Sequence, residues 1–182
     1  GKDQVQGLEY LEKVIELDPE HLGARYNMAV AYHKLEDYKR SVKHLEVLIS
    51  FDSEYPGARA SIARSYYSLG LVRLQAEQPH LAVPLLEKAI FYEGDNSNMQ
   101  FALGLAYLGN DNLSEAELAF RFALEIEPEY IPALHNLGTV YELLGRQADA
   151  DTIYSRVRDL APHMATIEAI KGTKYDVKYL VE

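Results

Sequence analysis

Small and bulky apolar positions recur along this chain in one fixed order. Gly7, Ser41, Ala82, Ala116 and Ala150 are small; four residues on, Leu11, Leu45, Leu86, Phe120 and Tyr154 are bulky. Three beyond those come Val14, Leu48, Ala89, Ala123 and Val157, and five later Pro19, Ser53, Gly94, Pro128 and Pro162. Successive sets lie 34, 41, 34 and 34 residues apart, a period of 34 with one seven-residue interruption. Residues three and four apart are neighbours on a helix, so each set is the buried stripe of one helix. A period in this range marks a solenoid built of helix pairs, each too small to bury its own apolar face.

An earlier helix precedes each stripe. With residue 22 as position one, positions seven, eight and eleven are Met28, Ala29 and Tyr32; later units place Leu103, Gly104 and Tyr107, then Leu137, Gly138 and Tyr141, at the same points. The small residues at positions eight and twenty let two helices approach closely, while the bulky ones at seven, eleven and twenty-four fill the space around them. Pro128 and Pro162 stop a second helix, because proline cannot continue one.

Gln100, Leu103, Gly104, Tyr107, Ala116, Phe120, Ala123 and Pro128 trace one unit; Leu134, Leu137, Gly138, Tyr141, Ala150, Tyr154, Val157 and Pro162 trace the next. The order resembles the tetratricopeptide repeat, W-x2-L-G-x2-Y, A-x3-F, P. The Trp position is filled by Arg25, Tyr66, Gln100 and Leu134, and the unit holding Ser41 and Ser53 is degenerate. The resemblance implies an all-α, right-handed α-solenoid of antiparallel helix pairs. Residues 1–21 then form the second helix of a partial repeat. Residues 22–55, 56–96, 97–130 and 131–164 form four repeats, and residues 165–182 a capping or partial-repeat helix, all in one solenoid.

The interruption preserves phase. Ile62, Ala63 and Tyr66 fit positions seven, eight and eleven, and so do Leu69, Gly70 and Arg73 seven residues later. Seven residues drift only about 20° around a helix. The pattern therefore predicts one long first helix from 56 to about 76, opened by Pro56 and projecting from one edge; a disordered insertion is the competing reading. At the C-terminus, Gly172 and Tyr175 repeat Gly138 and Tyr141 and favour a helix, against an extended tail through Tyr175, Val177, Tyr179 and Val181. At the N-terminus the stripe Leu8, Leu11 and Ile15 lacks a first helix on one flank. It predicts self-association through residues 5–17 and a chain that is a segment of a larger protein.

The formal charge of −10 is spread widely: residues 1–55 hold 7 basic and 11 acidic groups, and residues 97–182 hold 7 and 13. Phosphate backbones need clustered Lys and Arg, so nucleic acid is excluded as a partner. The chain has no cysteine, which removes disulfides and thiolate metal sites but leaves the compartment open, a cytoplasmic setting slightly favoured over a periplasmic one. No apolar run reaches the ~18 residues of a membrane span. The six histidines form no metal-binding spacing, Gly104 and Gly109 lack the lysine of a phosphate loop, and 95–98 lacks the Gly and closing Glu of a calcium loop. No cofactor and no catalytic residue is expected.

What the resemblance implies instead is a concave groove lined by the first helices, chiefly at positions two, five, six, nine and twelve. Carried over, these are Tyr26, Asn27, Val30 and His33; Arg64, Tyr67, Leu71 and Leu74; Phe101, Leu105 and Leu108; and His135, Asn136, Thr139 and Glu142. Tyr67 and Phe101 are expected to stand free in the concavity as anchors, with Tyr107 and Phe120 as fillers. The basic pair with which one branch of the family grips a terminal carboxylate is missing. The expectation is a non-enzymatic scaffold that binds an apolar peptide or helix of a partner protein in this groove. The alternative is a sensing or substrate-recognition arm of a larger enzyme or regulator.

Overall fold

The computed structural model describes residues 2–94 and 96–161. Nine α-helices and no strand occur among them: α1 Lys2–Leu17, α2 Leu22–Lys34, α3 Tyr38–Phe51, α4 Ala58–Gln75, α5 Pro79–Tyr92, α6 Ser97–Gly109, α7 Leu113–Ile126, α8 Ile131–Leu143 and α9 Gln147–Leu160. Each helix packs on the next, and the first helices also touch one another, α2 on α4, α4 on α6 and α6 on α8. This is the neighbour-only contact pattern of a solenoid. The helix expected within 165–182 lies outside the described residues.

The turns inside the pairs repeat as regularly as the stripes. Each is three residues long, and its middle residue takes a left-handed conformation: Glu36 at φ 60°, Glu77 at 54°, Asp111 at 59° and Gly145 at 73°. Short polar side chains then open several helices by accepting a free backbone N–H, as the first turn of a helix requires. Asp37 accepts from Arg40 N, Asn96 from Met99 N, and His21 from Ala24 N through Nδ1, each at 3.1 Å.

Inside each pair, position eight meets position twenty-four. A Cβ added to Gly104 would lie 2.5 Å from Phe120 Cε1, one added to Gly138 would lie 2.5 Å from Tyr154 Cε1, and one added to Gly70 would lie 2.6 Å from Leu86. Glycine is required there because the facing side chain occupies the space of its Cβ. A continuous core follows, running from Leu74 and Leu86 through Phe101, Phe120 and Ala133 to Tyr154. A second cluster joins Ala29, Leu45, Ile62, Tyr66 and Ala89.

Helix α4 resolves the interruption and corrects its boundary. It has 18 residues against 13 in α2, α6 and α8, and six residues separate it from α3 where four separate α7 from α8. The seven extra residues are thus five of helix and two of connection. Pro56 does not open the helix; it sits in the turn before Gly57, whose φ of 78° sets the entry. Nor does the added turn project freely, since Ala58 and Ile62 are fully buried. Both phases of the sequence are used at once. Ile62, Ala63 and Tyr66 pack towards α3 and Ala89, while Gly70, seven residues on from Ala63, receives Leu86 of α5.

At the N-terminal end, Leu8, Leu11 and Ile15 are half-buried and α1 packs on α2.

Candidate functional site

Predicted groove residues divide sharply by their place along the solenoid. Leu74, Phe101, Leu105, Leu108 and His135 are buried, Phe101 to 1% exposure. The expectation that Phe101 stands free as an anchor therefore fails. Its ring lies 5.7 Å from that of Phe120 and meets Tyr130 edge-on at 5.3 Å, so it is a filler inside its own unit. Tyr67 is also more enclosed than expected. It packs against both clusters, its hydroxyl has no hydrogen-bond partner, and burial raises its pKa well above the usual phenol value. Tyr107 is only partly buried, and its hydroxyl donates to Glu87 on the outer side.

The first two repeats keep the face open. Asn27 and Arg64 are exposed, and Tyr26, Val30, His33 and Leu71 are half-buried. A cavity of about 150 Å³ lies between α2, α3 and α4, lined by Ala29, Val30, His33, Lys34, Ser41, Leu45, Ser61, Arg64 and Ser65. Beside it, about 260 Å³ opens between α1 and α2, lined by Gly7, Leu8, Leu11, Asn27, Val30, Ala31, Lys34 and Leu35. Val30 and Lys34 belong to both, so the two hollows are one groove divided by the α2 side chains.

A chain of hydroxyls floors the smaller hollow. Tyr26 Oη lies 3.2 Å from Ser61 Oγ, Ser65 Oγ donates to the Ser61 carbonyl at 2.9 Å, and Ser65 Oγ also lies 2.9 Å from Ser41 Oγ and 3.0 Å from His33 Nδ1. Burial, and secondarily the positive charge of Arg64, lowers the His33 pKa, which keeps the ring neutral near pH 7. Neither Lys34 nor Arg64 makes an ion pair among the described residues. The floor is thus polar and internally satisfied, one wall is aliphatic, and two cations stand at the rim. Sequence reasoning passes over Lys34 and the serines. The available signal is Ser41, at a position where three other units carry Ala.

At the far end, Asn136 Nδ2 donates to the Pro132 carbonyl at 2.8 Å and Thr139 Oγ1 to the His135 carbonyl at 3.3 Å. Exposed Glu142 accepts from Tyr154 Oη at 3.1 Å. Asn136 and Thr139 thus bond to their own helix, while Glu142, and Thr139 at 3.3 Å, reach Tyr154 on α9. Among the described residues no three His, Asp or Glu side chains gather to hold a metal ion, and no helix is long and apolar enough to cross a membrane.

Helix pairs repeated at this spacing, closed by glycine against a bulky partner, define an α-solenoid. Sequence profiles of one family, described as Tetratricopeptide repeat, match residues 3–64, 67–131 and 132–163, and the chain belongs to that family. It is 33% identical over 79 residues to the chloroplastic Tetratricopeptide repeat domain-containing protein PYG7 of Arabidopsis thaliana, a match spanning 41% of this chain and 26% of that protein. Among solved structures it is similar to YrrB, described as a TPR protein with an unusual peptide-binding site, at 26% identity and a TM-score of 0.65, over 93% of this chain and 84% of that one. MamA has the same fold, at 23% identity and a TM-score of 0.64, over 94% and 90% of the two chains.

Proposed function

We propose that this chain acts by binding rather than by catalysis, as a scaffold that holds an apolar segment of a partner protein in the concave face around α2 and α4. The observation that carries this reading is the contrast along one row of positions. At α6 and α8 the inward side chains Phe101, Leu105 and His135 are buried, whereas in α2 the equivalent Tyr26 and Val30 are only half-buried, and Val30 borders two joined hollows. An apolar side chain of the partner fits against Val30, Leu8 and Leu11. Lys34 and Arg64 favour an acidic group beside it, since an unpaired cation at a groove rim gains from a carboxylate that is partly shielded from water. Main-chain groups of the segment have exposed Asn27 as a partner, the usual division between apolar anchors and a few polar contacts.

The test is affinity capture followed by titration of the captured partner. Val30→Glu, which puts a charge between the two hollows, should weaken binding at least tenfold, and Arg64→Glu should weaken it several-fold with a reduced salt dependence. The outer-face change Asp151→Lys should leave affinity unaltered. Equal affinity for wild type and Val30→Glu places the partner elsewhere.

A further inference from the structure

A second apolar hollow, of about 290 Å³, lies on the side built by the second helices, over α6 between α5 and α7. Leu103, Ile90 and Ala119 form its floor, and Leu118 and Phe122, 55% and 50% exposed, form its wall. Exposed apolar side chains occur elsewhere on the chain, but here two of them border one hollow, the arrangement that favours a docked apolar group.

One end of this hollow is acidic. Tyr107 Oη donates to Glu87 at 2.7 Å, and Glu115 borders the same end. The tyrosine senses both: burial, and then the charges of Glu87 and Glu115, push its pKa up to about 12. Neither carboxylate has an ion-pair partner among the described residues, and Lys88, Arg121 and Arg146 are paired with other carboxylates. Lys88 is 3.6 Å from Glu46, and Arg121 and Arg146 both turn to Glu117.

We propose that this hollow docks a basic amphipathic segment of a partner protein, its apolar side chain between Ile90, Leu118 and Phe122 and a Lys or Arg between Glu87 and Glu115. Charge selects this occupant. Two unpaired carboxylates on a chain of net charge −10 repel an acidic segment and attract a basic one, and the low-dielectric wall beside them strengthens the attraction. The row Gln100, Leu103 and Tyr107 spans seven residues, ~10 Å at 1.5 Å per residue, which matches two turns of a docked helix carrying one anchor and one cation. The site is independent of the concave groove, for it shares no lining residue with it.

The experiment uses the whole chain, labelled with ¹⁵N, and a 14-residue amphipathic Leu-Lys peptide as probe, with a Leu-Glu peptide of the same pattern as comparison. The Leu-Lys peptide should shift amide signals around Ile90, Leu118 and Phe122, and weaken as salt rises. Phe122→Asp should lower its affinity at least tenfold. The pair Glu87→Gln and Glu115→Gln, conservative enough to preserve the fold, should lower it about as much. Shifts elsewhere, no shifts at all, equal binding by the Leu-Glu peptide, or an unchanged affinity in the glutamine variant would overturn the proposal.

Discussion

Gly104→Ala adds one methyl group, and its outcome follows from the geometry of a single contact. The new Cβ would lie 2.5, 2.6 and 2.9 Å from Cε1, Cδ1 and Cζ of Phe120. Carbon atoms rest ~3.5–4.0 Å apart, so the ring must retreat by about 1 Å. It has little room to do so, being fully buried with the tilted ring of Phe101 5.7 Å away. Overpacking of this kind costs about 1–3 kcal/mol, against ~1 kcal/mol gained from replacing glycine inside a helix. The net effect runs from about zero to a loss of about 2 kcal/mol, or a melting temperature lower by up to roughly 8 °C for a chain of this size. Thermal and urea unfolding followed by circular dichroism read it directly. Gly7→Ala is the matched control, since nothing lies within 4 Å of that position; there only the propensity gain of about 0.5–1 kcal/mol should remain. Adding Phe120→Leu to Gly104→Ala recreates the Ala29 and Leu45 pairing of the first repeat and should recover part of the loss, with a coupling of about 0.5–2 kcal/mol. If Gly104→Ala stabilises as Gly7→Ala does, the helices are not held at the separation described.

Phe101→Ala should lower stability by about 3–5 kcal/mol, read by urea unfolding; a loss below about 1 kcal/mol would restore the ring to the open groove. His33 and His44 both have pKa values lowered chiefly by burial, so the folded chain binds fewer protons than the unfolded one once these rings begin to titrate. Their contribution is complete above the ordinary value of ~6.5 and is lost as pH falls through the folded values. The urea midpoint should therefore drop between pH 7 and 5, and less steeply in a variant with both histidines changed to Gln; an identical slope would contradict this. The dimer proposed through residues 5–17 should appear in sedimentation velocity and vanish on Leu11→Glu, whereas a strict monomer at high concentration would remove it.

The period and the small-to-bulky register are legible in the sequence because they are properties of each unit alone. Gly70, Gly104 and Gly138 meet the residue sixteen positions on, a relation any single repeat displays. What escapes depends on neighbours. Position five belongs to the groove surface by its place in the repeat, but in two units its ring packs on an aromatic at the last position of the same unit: Tyr26 on Tyr55 at 5.5 Å and Phe101 on Tyr130 at 5.3 Å. The spacing of 29 residues is visible in the sequence; its consequence is not, because whether the next first helix then covers the ring is a tertiary matter. Pro56 illustrates a local conflict. Proline suits a first helical turn, yet Gly57 beside it adopts the left-handed entry conformation and moves the helix start to Ala58. The buried extension does have a signal, for Ala58, Ile62, Ala63 and Tyr66 form one unbroken helical stripe.

On the proposed function, partners enter the concave face at the first two repeats. Site-specific photo-crosslinking tests it whatever the partner's identity: a benzophenone side chain is placed at exposed Asn27, beside the larger hollow, and at exposed Asp151 on α9. A partner crosslinked from position 27, lost on adding Val30→Glu and absent from position 151, is the predicted result. Crosslinking from position 151, with none from position 27, would contradict it.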